Sequence, residues 1–331
     1  MTLIGGLEVG TQGFGGMALA EVYGPADERE ALATLHHAVD AGIRFVDTAD
    51  IYGRGSNERL VGRLIAERGD ELVVATKFGF VADAAPGGPR FRGDPAYLRE
   101  AVVASLKRLG VDRIPLYYYH RVDPLVPIEE TVGALAELVA EGIVGRIGLS
   151  EVTADELERA HAVHPIAAVQ SEWSIWSRDV ESRVIPAAAR LGVGFVAYSP
   201  LGRGFLAAPV TALAEGDLRR GFPRFDAERL AANAPIGETV RRVAAEEGVT
   251  PAQLALAWIA EKARELGVAA VPIPSTRRPE RIDENLAAAG IRLSARALAE
   301  LEPLGALVAG DRARHVDDIS QGRERAAGDR G

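Results

Sequence analysis

The sequence contains no cysteine among its 331 residues. This absence excludes disulfide bonds, thiolate nucleophiles and cysteine-ligated metals, and it fits a reducing compartment. The sequence also lacks a long basic run, and its formal net charge is -9. General binding to nucleic acid or to an anionic membrane is therefore not expected, although a local basic pocket for a phosphate is compatible with this charge.

Long apolar runs are missing as well. No uncharged apolar window approaches the roughly 18–20 residues that a membrane span requires. The first six residues lack the charged start and the apolar core of a signal peptide. The histidines lack carboxylate or cysteine neighbours at ligand spacing, so no metal site is predicted. We therefore expect a soluble cytoplasmic protein with a small-molecule partner.

Short apolar segments alternate with helical patterns along most of the chain. Such uninterrupted apolar segments are typical of parallel strands that are buried on both faces. One short strand ends at Phe14, and seven more are predicted at Ile43–Val46, Leu72–Thr76, Ile114–Tyr119, Ile143–Leu149, Ile166–Val169, Val193–Ala197 and Val268–Ile273. Eight strand–helix units in a chain of this length predict an α/β fold of the (β/α)8 TIM-barrel type.

A doubly wound dinucleotide-binding sheet is the competing fold. It is disfavoured because no Gly-x-Gly-x-x-Gly follows a strand. Residues 3–9, with Gly5-Gly6 at the centre, predict an N-terminal β-hairpin. A long loop is expected after the seventh strand, from Leu201 to about Pro235. Residues 1–310 are predicted to form one domain, and residues 311–331 a flexible C-terminal tail that partly covers the barrel mouth.

A polar residue stands at the carboxyl end of nearly every predicted strand. In a barrel these ends share one mouth, which is where such folds carry their chemistry. The residues are Asp47, Lys77, His120, Ser150, Gln170, Tyr198 with Ser199, and Ser275 with Thr276, while Tyr52 lies on the loop after Asp47. Lysine is costly to bury without a partner, and Asp47 is the natural partner of Lys77.

These residue types suit the reduction of a carbonyl group. A lysine ammonium stabilises a phenolate, so we expect Lys77 to lower the pKa of Tyr52 from about 10. Tyr52 could then give a proton to a carbonyl oxygen as it becomes an alkoxide, with neutral His120 as a hydrogen-bond donor. None of these side chains supplies electrons, so a nicotinamide must provide the hydride.

Other residues at the mouth fit such a cofactor. Ser150 and Gln170 suit a carboxamide, and Tyr198 offers a ring on which the nicotinamide can stack. A basic patch that carries hydroxyl groups suits the 2′-phosphate of NADP, and it consists of Ser275, Thr276, Arg277, Arg278 and Arg281. Met17 and Trp173 are predicted to line the substrate pocket.

From Leu7 to about Gly310 the chain resembles an aldo-keto reductase. The matching motifs are Asp47-Thr48-Ala49-x-x-Tyr52-Gly53, Ala75-Thr76-Lys77, His120-Arg121, Ile147-Gly148-Leu149-Ser150, Val169-Gln170-Ser171-Glu172, Ala197-Tyr198-Ser199-Pro200-Leu201-Gly202 and Ile273-Pro274-Ser275-Thr276-Arg277-Arg278 with Glu284-Asn285. The resemblance implies a barrel plugged by its N-terminal hairpin and NADPH across its mouth.

The same resemblance implies roles for individual residues. It assigns Asp47, Tyr52, Lys77 and His120 as the catalytic tetrad, with Tyr52 as the proton donor. It places Ser199, Leu201 and Arg203 over the pyrophosphate, and Thr276, Arg277, Arg281, Glu284 and Asn285 around the adenosine phosphate and adenine. The sequence departs from the commonest pattern at Glu151, where many relatives have Asn, and at Ser275, where several branches have Lys.

Two other functions are compatible with parts of the pattern. The first is a non-enzymatic NADP(H)-binding module that senses redox state, and the complete tetrad disfavours it. The second is a lyase that forms a Schiff base at Lys77. That chemistry needs a lysine that is neutral near pH 7, whereas Asp47 should keep Lys77 charged. The sequence therefore favours an NADPH-dependent reductase of aldehydes and ketones.

Overall fold

Eight parallel strands form a barrel in the computed structural model, which describes residues 2–20, 22–24, 26–81, 88, 90–210 and 212–328. Each strand pairs with the next in chain order. The strands are β3 (Phe14–Gly15), β4 (Phe45–Asp47), β5 (Val73–Phe78), β6 (Ile114–Tyr119), β7 (Val144–Ser150), β8 (Ile166–Glu172), β9 (Gly194–Tyr198) and β10 (Ala270–Ile273). They are almost entirely buried, as apolar strands with two covered faces should be.

The first and last strands close the barrel. The backbone N–H of Gly13 donates to the carbonyl of Pro272 at 3.0 Å, and that of Gly15 donates to Pro274 at 3.1 Å. Only a residue without a side chain fits at Gly15, because a Cβ there would lie 2.8 Å from the carbonyl oxygen of Ile273. The predicted (β/α)8 barrel is therefore confirmed, and the doubly wound sheet was the wrong alternative.

An N-terminal hairpin plugs the barrel at the end opposite the strands' carboxyl termini. Strands β1 (Leu3–Ile4) and β2 (Leu7–Glu8) pair antiparallel, and the turn between them holds Gly5 and Gly6 at φ 53° and 82°. Ile4 is fully buried among inward-facing barrel residues such as Phe45 and Val196. The hairpin predicted from Gly5-Gly6 is thus present.

Helices surround the barrel. They are α1 (Glu28–Asp40), α2 (Ser56–Arg68), α3 (Pro95–Leu109), α4 (Ile128–Ala140), α5 (Ala154–Val163), α6 (Val184–Leu191), α7 (Ala227–Glu246), α8 (Pro251–Glu265), α9 (Pro279–Leu286), α10 (Ala295–Leu301) and α11 (Ser320–Gly328). Two of them begin at reciprocal capping boxes, Thr153 with Glu156 and Thr250 with Gln253. These caps satisfy N–H groups that a helix start leaves without partners.

The long loop after β9 ends earlier than the sequence predicted. Helix α7 begins at Ala227, and Asp226 caps it by accepting a hydrogen bond from the N–H of Arg229. The helix continues through Pro235, which was wrongly taken as the end of the loop. A proline costs an interior helix one N–H donor and adds a steric clash, but here the cap and the packing of Ile236 and Val240 on the core outweigh that cost.

Residues 312–319 run beside the barrel mouth, and several of them line the cavity there. Residues 316–318 form a short turn of 3-10 helix, and α11 follows it. The flexibility predicted for residues 311–331 stays a prediction, and residues 329–331 lie outside the described part of the chain. Among the helices that are described, none is both long enough and apolar enough to cross a membrane.

Candidate active site

The carboxyl ends of the barrel strands surround a cavity of about 1130 Å³. Most of the residues predicted for the site line it. They are Met17, Asp47, Tyr52, His120, Ser150, Gln170, Tyr198, Ser199, Leu201, Arg203, Ser275, Thr276, Arg277 and Arg281. Residues as far apart in the chain as Met17 and Arg281 meet there because parallel strands end at the same rim.

Lys77 lies beneath the cavity and is fully buried. Its ammonium forms an ion pair with Asp47 on the neighbouring strand and donates to the carbonyl of Thr48 at 2.8 Å. An ammonium has three donors, so one is left for a further partner. Burial opposes the charge, but the carboxylate of Asp47 and the phenol of Tyr52 outweigh it and raise the pKa of Lys77 above its ordinary value. Lys77 is thus a cation rather than a nucleophile.

Tyr52 stands over this ammonium on the loop that follows β4. The Nζ atom of Lys77 lies 5.1 Å from the centre of the Tyr52 ring. The loop can turn sharply there because Gly53 and Arg54 adopt φ of 55° and 52°. The ring faces the cavity, so its hydroxyl stands between the buried cation and the open space.

The pKa of Tyr52 differs from the expectation. Burial raises the pKa of the phenol above 10, and Lys77 reduces that rise without reversing it. The predicted net lowering was therefore wrong, because desolvation of the phenolate outweighs its attraction to the ammonium. Tyr52 consequently keeps its proton across the neutral pH range, which is the state that a proton donor needs.

His120 lies at the end of β6, close to the phenol. The two ring centres are 6.0 Å apart, in an edge-to-face arrangement. Burial, together with Arg121 and Lys77, holds the pKa of His120 well below 6.5, so the imidazole is neutral. Its Nδ1 atom is buried and has no hydrogen-bond partner among the described residues. The ring can therefore offer a hydrogen bond to a molecule in the cavity without carrying charge.

The next three strands bring amide- and hydroxyl-bearing side chains to the rim. Gln170 donates from Nε2 to Asp47 Oδ2 at 2.8 Å, and this bond fixes the orientation of its amide. The hydroxyl of Ser150 accepts a bond of 3.1 Å from Arg121. The ring of Tyr198 also lines the cavity, and its hydroxyl donates to Glu151 at 2.7 Å. These three side chains form one continuous wall.

The loop after β9 has an unusual backbone where it borders the cavity. Ser199 and Arg203 adopt φ of 49° and 55° without being glycine, a conformation that costs energy and often marks a functional loop. The guanidinium of Arg203 lies 3.5 Å from a carboxylate oxygen of Glu172. This loop and its cation form the part of the mouth that was predicted to hold a pyrophosphate.

The predicted phosphate patch is only partly free for a ligand. The hydroxyl of Ser275 bonds to the backbone of Gly15 and Ala18, so Ser275 connects the first and last strands. Arg277 donates to the carbonyls of Ala18 and Gly24. Arg278 and Arg281 pair with Glu280 and Glu284 on α9 but remain at the cavity edge.

Besides Lys77, three predicted site residues do not line the cavity. Trp173 is fully buried behind the barrel wall, where its ring contacts Phe195 and Trp258, so its placement in the substrate pocket was wrong. The side chain of an aromatic residue just after a strand can point into the cavity or into the core, and the ring of Trp173 packs in the core. Glu284 and Asn285 lie on α9, outside the cavity lining, although Glu284 holds Arg281.

A second buried ion pair, which the sequence did not reveal, joins the C-terminal segment to the mouth. Glu151 and Arg312 are both buried, and each oxygen of the carboxylate accepts a bond of 2.8 Å from the guanidinium. Burial alone would raise the pKa of Glu151, but Arg312 holds it well below its usual range. Asp179 and Ser320 complete the cluster around Arg312.

This cluster explains why Glu replaces the expected Asn at position 151. Its carboxylate also accepts from Tyr198 and from the backbone N–H groups of Glu172 and Ser320. Both oxygens are therefore used inside the protein and do not reach into the cavity. A buried Glu requires a cation, and that requirement was the one available signal for Arg312.

The part of the chain that the structure describes has no group of three or more His, Cys, Asp or Glu side chains arranged to hold a metal ion.

Comparison with protein families gives one match that spans most of the chain. Residues 12–306 match the model of the Aldo/keto reductase family. This range includes all the strands that form the barrel and every predicted site residue.

Solved structures agree over nearly the full length. The glycerol dehydrogenase AKR11B4 from Gluconobacter oxydans superposes with a TM-score of 0.80 at 25% identity, covering 94% of this chain and 98% of the dehydrogenase. The holo form of aldo-keto reductase AKR11C1 from Bacillus halodurans gives 0.73 at 26%, covering 95% and 98%. The thermostable aldo-keto reductase Tm1743, in complex with the inhibitor epalrestat, gives 0.70 at 30%, covering 91% and 98%.

Proposed function

The chain belongs to the aldo/keto reductase family, and from this premise we propose that it is an NADPH-dependent reductase of aldehydes and ketones with Tyr52 as its proton donor. The observation that carries the proposal is the convergence of Tyr52, Lys77, Asp47 and His120 at one rim of the barrel. Membership of the family implies carbonyl reduction by a nicotinamide cofactor. The identity of the proton donor and the preference for NADPH are our inferences.

The proton transfer follows from the states of these groups. Tyr52 is protonated at neutral pH because burial raises its pKa, so it can deliver a proton to the carbonyl oxygen as negative charge develops there. Lys77 stabilises the phenolate that remains, and Asp47 keeps the ammonium charged and in place. Neutral His120 donates a hydrogen bond to the same oxygen and orients the substrate. NADPH, when bound, supplies the hydride.

The described residues fit such a cofactor. Gln170 uses its amide N–H on Asp47, which orients the amide beside Ser150 for a carboxamide. The cavity is larger than the roughly 300–1,000 Å³ that ligand sites usually occupy, so an extended dinucleotide and a small carbonyl compound could share it. Arg278 and Arg281 at one edge favour the additional phosphate of NADPH over NADH.

The test is a panel of aromatic aldehydes and dicarbonyl compounds, assayed for loss of NADPH or NADH absorbance. We expect multiple turnovers and a higher kcat/KM with NADPH. Arg281→Ala should weaken NADPH binding about tenfold and leave NADH binding unchanged, since one charged hydrogen bond to a phosphate is lost. Arg292→Ala, which removes an exposed arginine outside the cavity, is the matched control.

Two results would oppose the proposal. A single slow oxidation of bound cofactor without turnover would favour the non-enzymatic sensor. Equal kcat/KM with NADPH and NADH, together with unchanged NADPH binding in Arg281→Ala, would contradict the NADPH preference.

We also propose a cytoplasmic location, which the lack of cysteine fits.

A further inference from the structure

Arg121 lies at the catalytic end of the cavity with half of its guanidinium unused. Its Nη1 donates to the carbonyl of His120 at 2.6 Å and to the hydroxyl of Ser150 at 3.1 Å. Its Nε and Nη2 have no hydrogen-bond partner among the described residues, nor does any described carboxylate form an ion pair with it. The group lines the same cavity as Tyr52 and His120 and lies over the ring of Phe80, 5.6 Å from its centre.

Neighbouring cations on this side of the cavity are neutralised. Arg312 pairs with Glu151 and Asp179, and Arg90 pairs with Asp318. Protein cations that are partly buried usually have such partners, because desolvation of an unpaired charge costs free energy. Arg121 therefore lies beside the proposed reacting centre without an ion pair to any carboxylate in the described part of the chain. The nearby charge of Glu151 acts on it through space, but that carboxylate is bonded to Arg312.

We propose that Arg121 recognises a carboxylate on the substrate, so that the preferred substrates are aldehydes or ketones that carry a carboxylate. The inference rests on the proposed carbonyl reduction and adds the class of substrate. Nε–H and Nη2–H lie on the same edge of a guanidinium, and this edge matches the two oxygens of a carboxylate. The bonds from Nη1 to His120 and Ser150 hold the other edge fixed.

The reaction itself is unchanged by this contact. The carbonyl carbon gains the hydride, its oxygen gains the proton of Tyr52, and the carboxylate stays ionised throughout. Phe80 lies against both Arg121 and His120, with its ring centre 4.7 Å from that of the imidazole. A substrate that is held by Arg121 is thus directed to the side of the cavity where His120 meets Tyr52.

The experiment compares benzaldehyde with 3- and 4-carboxybenzaldehyde at saturating NADPH. The two acids place the carboxylate at different distances from the same reacting group. We expect wild-type enzyme to prefer one of the acids, and we expect Arg121→Met to reduce the ratio of kcat/KM for that acid to kcat/KM for benzaldehyde at least about tenfold. Differences in intrinsic reactivity cancel when this ratio is compared between variants.

Controls separate this contact from a general field and from cofactor binding. Arg314→Met removes an exposed arginine at the cavity rim, whose one hydrogen-bond partner within the described ranges is the carbonyl of Gly221, and it should leave the ratio unchanged. Arg121→Lys, which keeps the charge but loses the planar edge, should give an intermediate ratio. The dissociation constant of NADPH should change less than about twofold in Arg121→Met, which cofactor fluorescence can measure.

Several results would overturn the inference. These are no preference for either acid in the wild type, an unchanged ratio in Arg121→Met, or an equal loss for all three aldehydes together with weaker NADPH binding. If neutral aldehydes are reduced and acids are not preferred, the proposed function stands and only the carboxylate site fails. If Arg121→Met does not fold, the dissociation constants of benzoate and benzamide can be compared on the wild-type enzyme with NADP+. The inference predicts that benzoate binds more tightly than benzamide. Equal affinities would contradict it.

Discussion

The two buried ion pairs at the barrel mouth resemble each other in burial and differ in what surrounds them. Asp47 and Lys77 lie on adjacent strands, next to a phenol that faces the cavity. Glu151 and Arg312 are 161 positions apart in sequence, and the carboxylate of Glu151 accepts six hydrogen bonds, all from the protein. In the first pair, the ammonium of Lys77 keeps one N–H donor for a further partner. In the second pair, both oxygens of the Glu151 carboxylate are already hydrogen-bonded within the protein.

Under the proposed function, this difference separates a pair that acts on the proton donor from a pair that organises the fold. A buried charge that is fully hydrogen-bonded is rigid and costly to disturb. Glu151 joins the ends of β7, β8 and β9 to the start of α11, so it fixes the wall of the cavity. Lys77 instead places its charge beside Tyr52, the residue that we propose as the proton donor.

The largest effect is expected at the first pair. Lys77→Met should reduce kcat by about 10³-fold or more, because the phenolate that forms as Tyr52 gives up its proton loses its stabilising cation. It should also destabilise the fold by about 3–5 kcal/mol, since Asp47 is left buried and unpaired. Steady-state kinetics and urea unfolding measure the two losses.

Adding Asp47→Asn to that variant separates the two losses. The double variant should recover part of the stability, because no unpaired carboxylate remains, and it should recover none of the turnover. Recovery of turnover would show that Lys77 acts only by neutralising Asp47.

Substitutions in the second pair, Glu151 and Arg312, should reduce stability strongly and kcat only slightly. Arg312→Met should destabilise the protein by about 3–5 kcal/mol, and Glu151→Gln by less, because Arg312 keeps Asp179 as a partner. At saturating substrate and cofactor we expect kcat to fall less than about tenfold, because neither residue contacts the reacting groups. Thermal unfolding and kinetics on the same samples test this.

A double-mutant cycle sharpens the result. Glu151→Gln combined with Arg312→Met should cost less than the sum of the single substitutions, because the two charges are coupled. Additive losses would mean that the pair contributes no mutual stabilisation.

The smallest effect is expected at Asp50, which lies on the loop between β4 and Tyr52 and has no cation bonded to it among the residues that the structure describes. Burial, together with repulsion from Glu58, raises its pKa to about 7, and its Oδ1 atom lacks a hydrogen-bond partner in the described chain. The unfolded value is about 3.9, so the native state binds more protons between these two values. Stability attributable to this group is therefore lost as pH rises from about 4 to about 7.

Asp50→Asn removes this dependence. We expect the gain in stability over the wild type to grow by about 2.6 kcal/mol between pH 5 and pH 8, as measured by denaturant unfolding at both values. An equal difference at both pH values would show that Asp50 is ionised in the native state throughout.

The sequence predicted the first pair and missed the second for a physical reason. Alternating strands and helices bring strand ends to one rim, so Asp47 and Lys77 could be paired from their positions alone. The partner of Glu151 comes from an irregular segment after the barrel, where no periodic pattern specifies which residue folds back. A buried Glu shows that a cation is needed but does not identify it among 38 Lys and Arg residues.

Other errors had similar causes. The direction in which the Tyr52 pKa moves depends on how strongly its ring is desolvated, and a sequence does not give that balance. Trp173 follows a strand that was predicted correctly, but the packing of Phe195 and Trp258 takes its ring into the core. Pro235 lies inside α7 because a cap and core contacts outside the local pattern outweigh its preference against helix.

The most direct measurement is the turnover of Tyr52→Phe together with its affinity for NADPH. The account predicts a fall in kcat of about 10²–10⁴-fold with an unchanged dissociation constant for the cofactor. Tyr23→Phe, which removes a hydroxyl from another tyrosine of the same cavity, should leave kcat within about threefold of the wild type. A Tyr52→Phe enzyme that reduces carbonyl compounds at the wild-type rate would contradict the proposal that the phenol above Lys77 is the proton donor.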